Sequence, residues 1–334
     1  MAVEIAEITS EHERWQRPGH EEQWSDSFYF GGGDGRGLAF YSRIGRRPNE
    51  GATEGALGTW LPGQGFLLSF ARAGPDEAEE PERLAAGPVT YECALPLKLW
   101  EMRFEGPGRL FERAEHVATR RNEYEAVEVR AALRFAAWID PLSFRSGLAE
   151  GVATAHYEQP GSIAGTIEVA GRRHPLAGRG MRDHSWGVRD WQGVPYWRWF
   201  GMILDPDNFL VLNNVGRAGG DEVAGGFLMQ DGVLAPIEGC ETVSELDPEL
   251  GCQRSFVARA RDAAGRETTL SGRAVEVAPL RQRRDGRLTH VNEGLTEYDW
   301  DGRRGTGISE YLVQQEQRRP SASGRAGRGR DDRS

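Results

Sequence analysis

Turn signals recur along this chain at spacings of about 8–12 residues, and the stretches between them are too short and too β-branched or aromatic for helices. Ser27–Phe30 runs into Gly31–Gly37, which contains Asp34-Gly35, and Leu38–Tyr41 returns. That is a strand, an Asp-Gly turn and a second strand. The same grammar reads strands at 65–70, 89–93, 99–104, 127–131, 162–170, 197–202, 209–212, 227–229, 255–260 and 268–280, with Gly171, Asp231-Gly232 and Gly265 at turns. The 44 glycines are spread singly, without a collagen-like period, as a chain of many tight turns requires. Helical periodicity is scarce, and the charged, proline-interrupted 76–84 stretch reads as a loop. An all-β sandwich or barrel is the expected class.

At 334 residues the chain exceeds what one core usually fills, and both halves carry a similar meander, so two domains are expected. Net charge is −10, with Lys98 the only lysine. That balance argues against nucleic-acid binding by the folded part, because phosphate neutralisation needs a basic face. Cys93, Cys240 and Cys252 read as buried thiols of a reducing compartment, although Cys240 and Cys252 could meet across neighbouring strands. No apolar signal core opens the sequence and no run of 18 apolar residues occurs, so no transmembrane segment and a cytoplasmic location are expected. From Arg318 the composition is Arg, Ser, Gly and Pro, which predicts a disordered 318–334 tail.

Chemistry concentrates in Gly178–Trp191, followed by Tyr196–Trp199. If Met181–Gly187 is extended, Arg182, His184 and Trp186 share one face, while Asp183 and Ser185 point the other way. Adjacent Asp183-His184-Ser185 therefore has triad residues without triad geometry. No Gly-x-Ser-x-Gly elbow occurs, and the histidines lack ligand spacing, so neither a hydrolase elbow nor a metal site is expected. The Gly31–Gly37 run fails the dinucleotide fingerprint and reads as a hairpin turn, so no cofactor is expected. A histidine can move a proton near neutral pH, and an indole beside it can stabilise a cation by ~2 kcal/mol when desolvated. His184 with Trp186 thus suits acid–base chemistry on an alkene or polyene.

The segment Gly180–Gly187 resembles the Asp-His-x-Trp-Gly motif of the superfamily that holds carotenoid 1,2-hydratase (hydroxyneurosporene synthase), AttH-like proteins and the survival-factor proteins, and more distantly the lipocalin-like Diels–Alderases. His156–Gln159, Pro279–Arg281, Glu293–Tyr298 and Gly307–Tyr311 extend the likeness over most of 20–315. The resemblance implies two tandem lipocalin-like antiparallel β-barrels, divided here as 1–175 and 176–317 with the motif opening the second, and an apolar cavity within or between them. It departs where the hydratase branch is expected to carry a carboxylate after the motif: this chain has Asn213 and Asn214, which cannot protonate an alkene.

The expected function is binding, with cofactor-free acid–base transformation (hydration, isomerisation or cyclisation), of an apolar isoprenoid, polyketide or lipid. His184 is the candidate proton carrier, Trp186 the aromatic wall and Asp183 the orienter of nearby arginines. Tyr196, Trp197, Trp199, Asn213, His156 and Glu158 are candidate ligand contacts. The alternative is a non-catalytic carrier, in which Trp186 with Arg182, Arg189 or Arg198 only plugs a barrel end. A homodimer is compatible with either.

Overall fold

The computed structural model describes residues 7–74, 83–143, 155–217, 219–284 and 286–315, and the expected turns fall where strands end. The first half forms one antiparallel sheet from β1 (Trp24–Gly33), β2 (Ala39–Arg47), β3 (Ala52–Leu61), β4 (Gly65–Ala73), β5 (Arg83–Ala86), β6 (Val89–Leu95), β7 (Leu99–Phe111), β8 (Glu125–Ala137), β9 (Leu142–Ser143), β10 (Ala155–Val169) and β11 (Arg172–Val188). The order β4-β3-β2-β1-β11-β10-β8-β7 closes on itself through a β4–β7 pairing, giving a barrel. The second half is a closed barrel in chain order: β12 (Tyr196–Asp205), β13 (Asn208–Gly216), β14 (Glu222–Gln230), β15 (Val233–Leu246), β16 (Gln253–Asp262), β17 (Glu267–Arg284), β18 (Arg287–Trp300) and β19 (Arg303–Gln315). The protein is thus all-β, with two antiparallel barrels in tandem.

Each barrel is filled by its own side chains. In β8, Val127, Val129, Ala131, Leu133 and Phe135 are buried, while Glu128, Arg130, Ala132 and Arg134 are exposed. Burying each large apolar side chain stabilises by about 1.5–3 kcal/mol and fixes the register. Phe28, Phe30, Tyr91, Trp100 and Phe135 fill the first barrel; Phe200, Phe256, Tyr298, Trp300 and Tyr311 fill the second.

The barrels meet through two apolar clusters. One joins Tyr41, Trp60 and Phe66 to Leu295 and Ile308; the other joins Leu142 and Met181 to Phe209, Val211 and Phe227. Glycine makes the approach close. A Cβ on Gly31 would lie 2.9 Å from Ile308 Cδ1 of the second barrel.

Several expectations change. Gly31–Gly33 belong to β1, so the hairpin turn is only its second part. β11 runs unbroken across the 175/176 boundary and pairs with β1 and β10, so the motif lies in the first barrel and the sheet changes between Val188 and Tyr196. Residues 83 and 84 of the expected loop are in β5; the rest of that loop that falls at 76–82, and the 318–334 tail, lie outside the described residues. Cys240 and Cys252 are free thiols: Cys240 pairs with Ala260, whereas Cys252 precedes Gln253 at the far end of β16. No helix of the described residues is long and apolar enough to cross a membrane.

Candidate functional site

Strand alternation divides the motif between two environments. Arg182 and His184 sit opposite Phe30 and Phe28 and point into the first barrel. There the segment before β1 closes the barrel end. Buried Glu13 receives Arg182 Nη2 at 3.1 Å, the Trp100 indole N–H at 2.9 Å, the Leu97 amide at 3.0 Å and the Tyr157 hydroxyl. Burial works to raise the Glu13 pKa, but Arg182 and these donors outweigh it and hold the carboxyl below its ordinary value. His184 Nδ1 lies 2.8 Å from the His12 carbonyl oxygen and Nε2 lies 2.7 Å from Asp26 Oδ1. Its ring stacks on Phe28, and Trp186 stacks on His12. Both imidazole nitrogens are therefore engaged inside the fold.

The opposite face of the same strands lines a cavity of about 540 Å³ between the barrels, within the roughly 300–1,000 Å³ range of small-molecule sites. Ser185 Oγ lies 2.7 Å from His156 Nδ1, and His156 Nε2 lies 3.2 Å from Glu158 Oε1. From the second barrel, the Trp199 indole N–H donates to the same Glu158 oxygen at 2.7 Å. Burial alone would lower the His156 pKa, but its bond to Glu158 and the charges of Glu158 and Asp183 raise it. Burial also pushes the Asp183 carboxyl up to about 6, with Glu158 adding to the rise and His156 opposing it.

The second barrel contributes an acid pair. Glu293 and Glu310 are direct cross-strand partners on β18 and β19, and both line the cavity. Burial and the neighbouring Glu310 charge raise the Glu293 pKa well above its ordinary value. Burial also raises that of Glu310, against the Trp197 indole N–H, which donates to it at 2.5 Å, and against Arg189 and Arg43. Two carboxyls so close disfavour each other's ionisation. Tyr29 donates to Glu293 at 3.3 Å. Tyr29, Tyr41, Trp197, Trp199, Leu280 and Val291 give the walls their apolar surface. The Tyr41 hydroxyl, Glu158 Oε2 and Asn213 Nδ2 are buried there with no protein partner. Among the described residues, no group of three His, Cys, Asp or Glu is arranged to hold a metal ion.

A family model described as a domain of unknown function, DUF7064, matches residues 9–315. The chain belongs to the DUF7064 family. Sequence comparison with curated proteins gives no match. Among solved structures, an AttH protein from Nitrosomonas europaea is similar with a TM-score of 0.62 and 12% identity, over 88% of this chain and 94% of that one. CghA, solved with Sch210972, gives 0.60 and 10%, over 88% and 89%. Kievitone hydratase from Nectria haematococca gives 0.57 and 10%, over 94% of both chains. At such identities the likeness is one of fold.

Of the residues singled out in the sequence, Asp183, His156, Glu158, Trp197, Trp199 and Asn213 are brought together around the cavity. His184 and Trp186 are not: they face the barrel interior and its N-terminal closure. Tyr196 lies away too, donating to Glu222 at 2.7 Å. Ser185, Glu293, Glu310, Arg43 and Arg189 also line the cavity and were not chosen from sequence. Glu293 and Glu310 do stand in the two C-terminal segments that resemble the superfamily, but only strand pairing sets them side by side.

Proposed function

We propose that this DUF7064 protein binds an apolar small molecule of the isoprenoid, polyketide or lipid kind between its barrels and transforms it by cofactor-free proton transfer. The observation that carries this reading is the Glu293–Glu310 pair, two buried cross-strand carboxyls whose closeness and burial favour a protonated acid at the wall of a cavity that also exposes aromatic and aliphatic surface. A neutral acid at neutral pH is what protonation of an alkene or carbonyl needs. Glu293 delivers its proton to the substrate, and the carboxylate pair left behind, with the faces of Trp197 and Trp199, stabilises the cation. In a hydration, water adds to that cation and its released proton returns to the pair, directly or through His156 and Glu158. In an isomerisation or cyclisation, the proton returns from a neighbouring carbon instead. The acid that Asn213 cannot supply thus comes from two later strands, and one protein of the same fold is named a hydratase.

Incubation with a panel of terpenoid and polyene alkenes in D2O tests this by mass spectrometry. Carbon-bound deuterium or added water is expected with the native protein and absent with Glu293→Gln. Equal labelling by both proteins, or none by either, refutes proton transfer by the pair. The confinement of His184 and Trp186 to the barrel interior favours a second reading, a carrier. It predicts a stoichiometric bound lipid that leaves unchanged and is retained by Glu293→Gln.

A further inference from the structure

One end of the cavity has a different chemistry from the rest. The Arg43 guanidinium folds back over Gly45, where a Cβ would lie 2.6 Å from its Nη1. Gly45 is the β2 partner of Ser27, and Ser27 Oγ accepts a bond from Arg189 Nη1 at 2.8 Å. The two guanidiniums therefore converge on one spot of the first barrel's outer face. Both also lie against the Trp191 ring, at 5.5 and 5.1 Å from its centroid. Trp191 Nε1 is buried beside them with no protein partner. A small adjoining pocket of about 20 Å³ shares Arg43, Arg189, Trp191 and Gln282 with the cavity and adds Asp190, with Arg47 and Arg284, which pair with Glu54 and Glu50.

Such a cluster is electrostatically expensive. The contact of Arg43 with Glu54 is a loose 4.0 Å. Burial and then the Arg43 charge push the Arg189 pKa down to about 10, and burial with Arg47 lowers that of Arg43. Convergent donors that crowd one another at the end of an apolar cavity are complementary to an oxyanion.

We propose that the ligand of this cavity is a carboxylate-bearing amphiphile, its head group held by Arg43, Arg189 and the Trp191 indole N–H and its apolar body lying along Trp197 and Trp199. This rests on the cavity being a ligand site and adds the class of ligand.

Binding of dodecanoate and oleate, of the matching alcohols, and of dodecyl phosphate, followed by tryptophan fluorescence, tests the assignment. The carboxylates are expected to bind at least about tenfold more tightly than the alcohols, and Arg43→Met or Arg189→Met to remove that difference. Unchanged alcohol affinity in each variant shows that the cavity itself is intact. Equal affinity of acid and alcohol in the native protein overturns the head-group site while leaving an apolar cavity standing. Tighter binding of dodecyl phosphate than of dodecanoate overturns the carboxylate assignment. Binding of none of the probes overturns both this inference and the ligand site beneath it.

Discussion

Replacement of Asp183 by Asn is expected to make the protein more stable at neutral pH. The Asp183 carboxyl faces the cavity among Glu158, His156 and Ser185, and its pKa rises from 3.8 to about 6 because burial disfavours the charged form. A carboxyl with a raised folded pKa stabilises the fold while it is protonated. Its contribution is complete below 3.8 and is lost as pH climbs through about 6, where the folded state must surrender a proton it holds more tightly than the unfolded chain does. At about 1.4 kcal/mol per pH unit, the whole loss amounts to about 3 kcal/mol, or about 1–3 kcal/mol once water in the cavity screens the charge. The favourable pull of His156 and Arg189 is already contained in that net rise. Urea unfolding at several pH values between about 5 and 8 measures it. The stability advantage of Asp183→Asn should grow up to about pH 6–7 and then level off. A variant less stable than the native protein at pH 7, or an advantage indifferent to pH, refutes the reasoning.

Glu13→Gln should cost about 3–5 kcal/mol, because it leaves the Arg182 charge buried without its counter-ion, and a change in the urea midpoint reads it. A loss below about 1 kcal/mol would show that the N-terminal closure is dispensable. His184→Ala should destabilise by about 2–4 kcal/mol through the bonds to His12 and Asp26, yet leave any ligand in an organic extract of the purified protein unchanged. Loss of the extracted ligand from a variant that still melts cooperatively would return His184 to the site.

The strands were legible because many of the turns are marked by Gly or Asp-Gly and because β8 alternates cleanly between core and solvent. The two faces of β11 were legible for the same reason, since alternation put Asp183 and Ser185 opposite His184. Which face meets a ligand was not. β1 is covered on both sides, by the barrel core at Phe28 and Phe30 and by the second barrel at Tyr29 and Gly31. Burial of polar residues therefore marks both the N-terminal closure around His184 and the cavity wall around Asp183, and alternation alone does not tell the two apart. The motif also sat before the expected boundary rather than after it, because a β-bridge to β1, some 150 residues earlier in the chain, carries no local signal. Glu293 and Glu310 become a pair only through the β18–β19 register, and Ser185 meets His156 only through β10–β11.

The central claim is that a carboxylic acid stays neutral between the barrels at physiological pH. Infrared difference spectroscopy of the native protein against Glu293→Gln, recorded at pH 7, tests it most directly. The account predicts a protonated-carboxyl carbonyl band in the native protein that disappears in the variant and shifts in D2O. A native spectrum at pH 7 in which every carboxyl is ionised would contradict it.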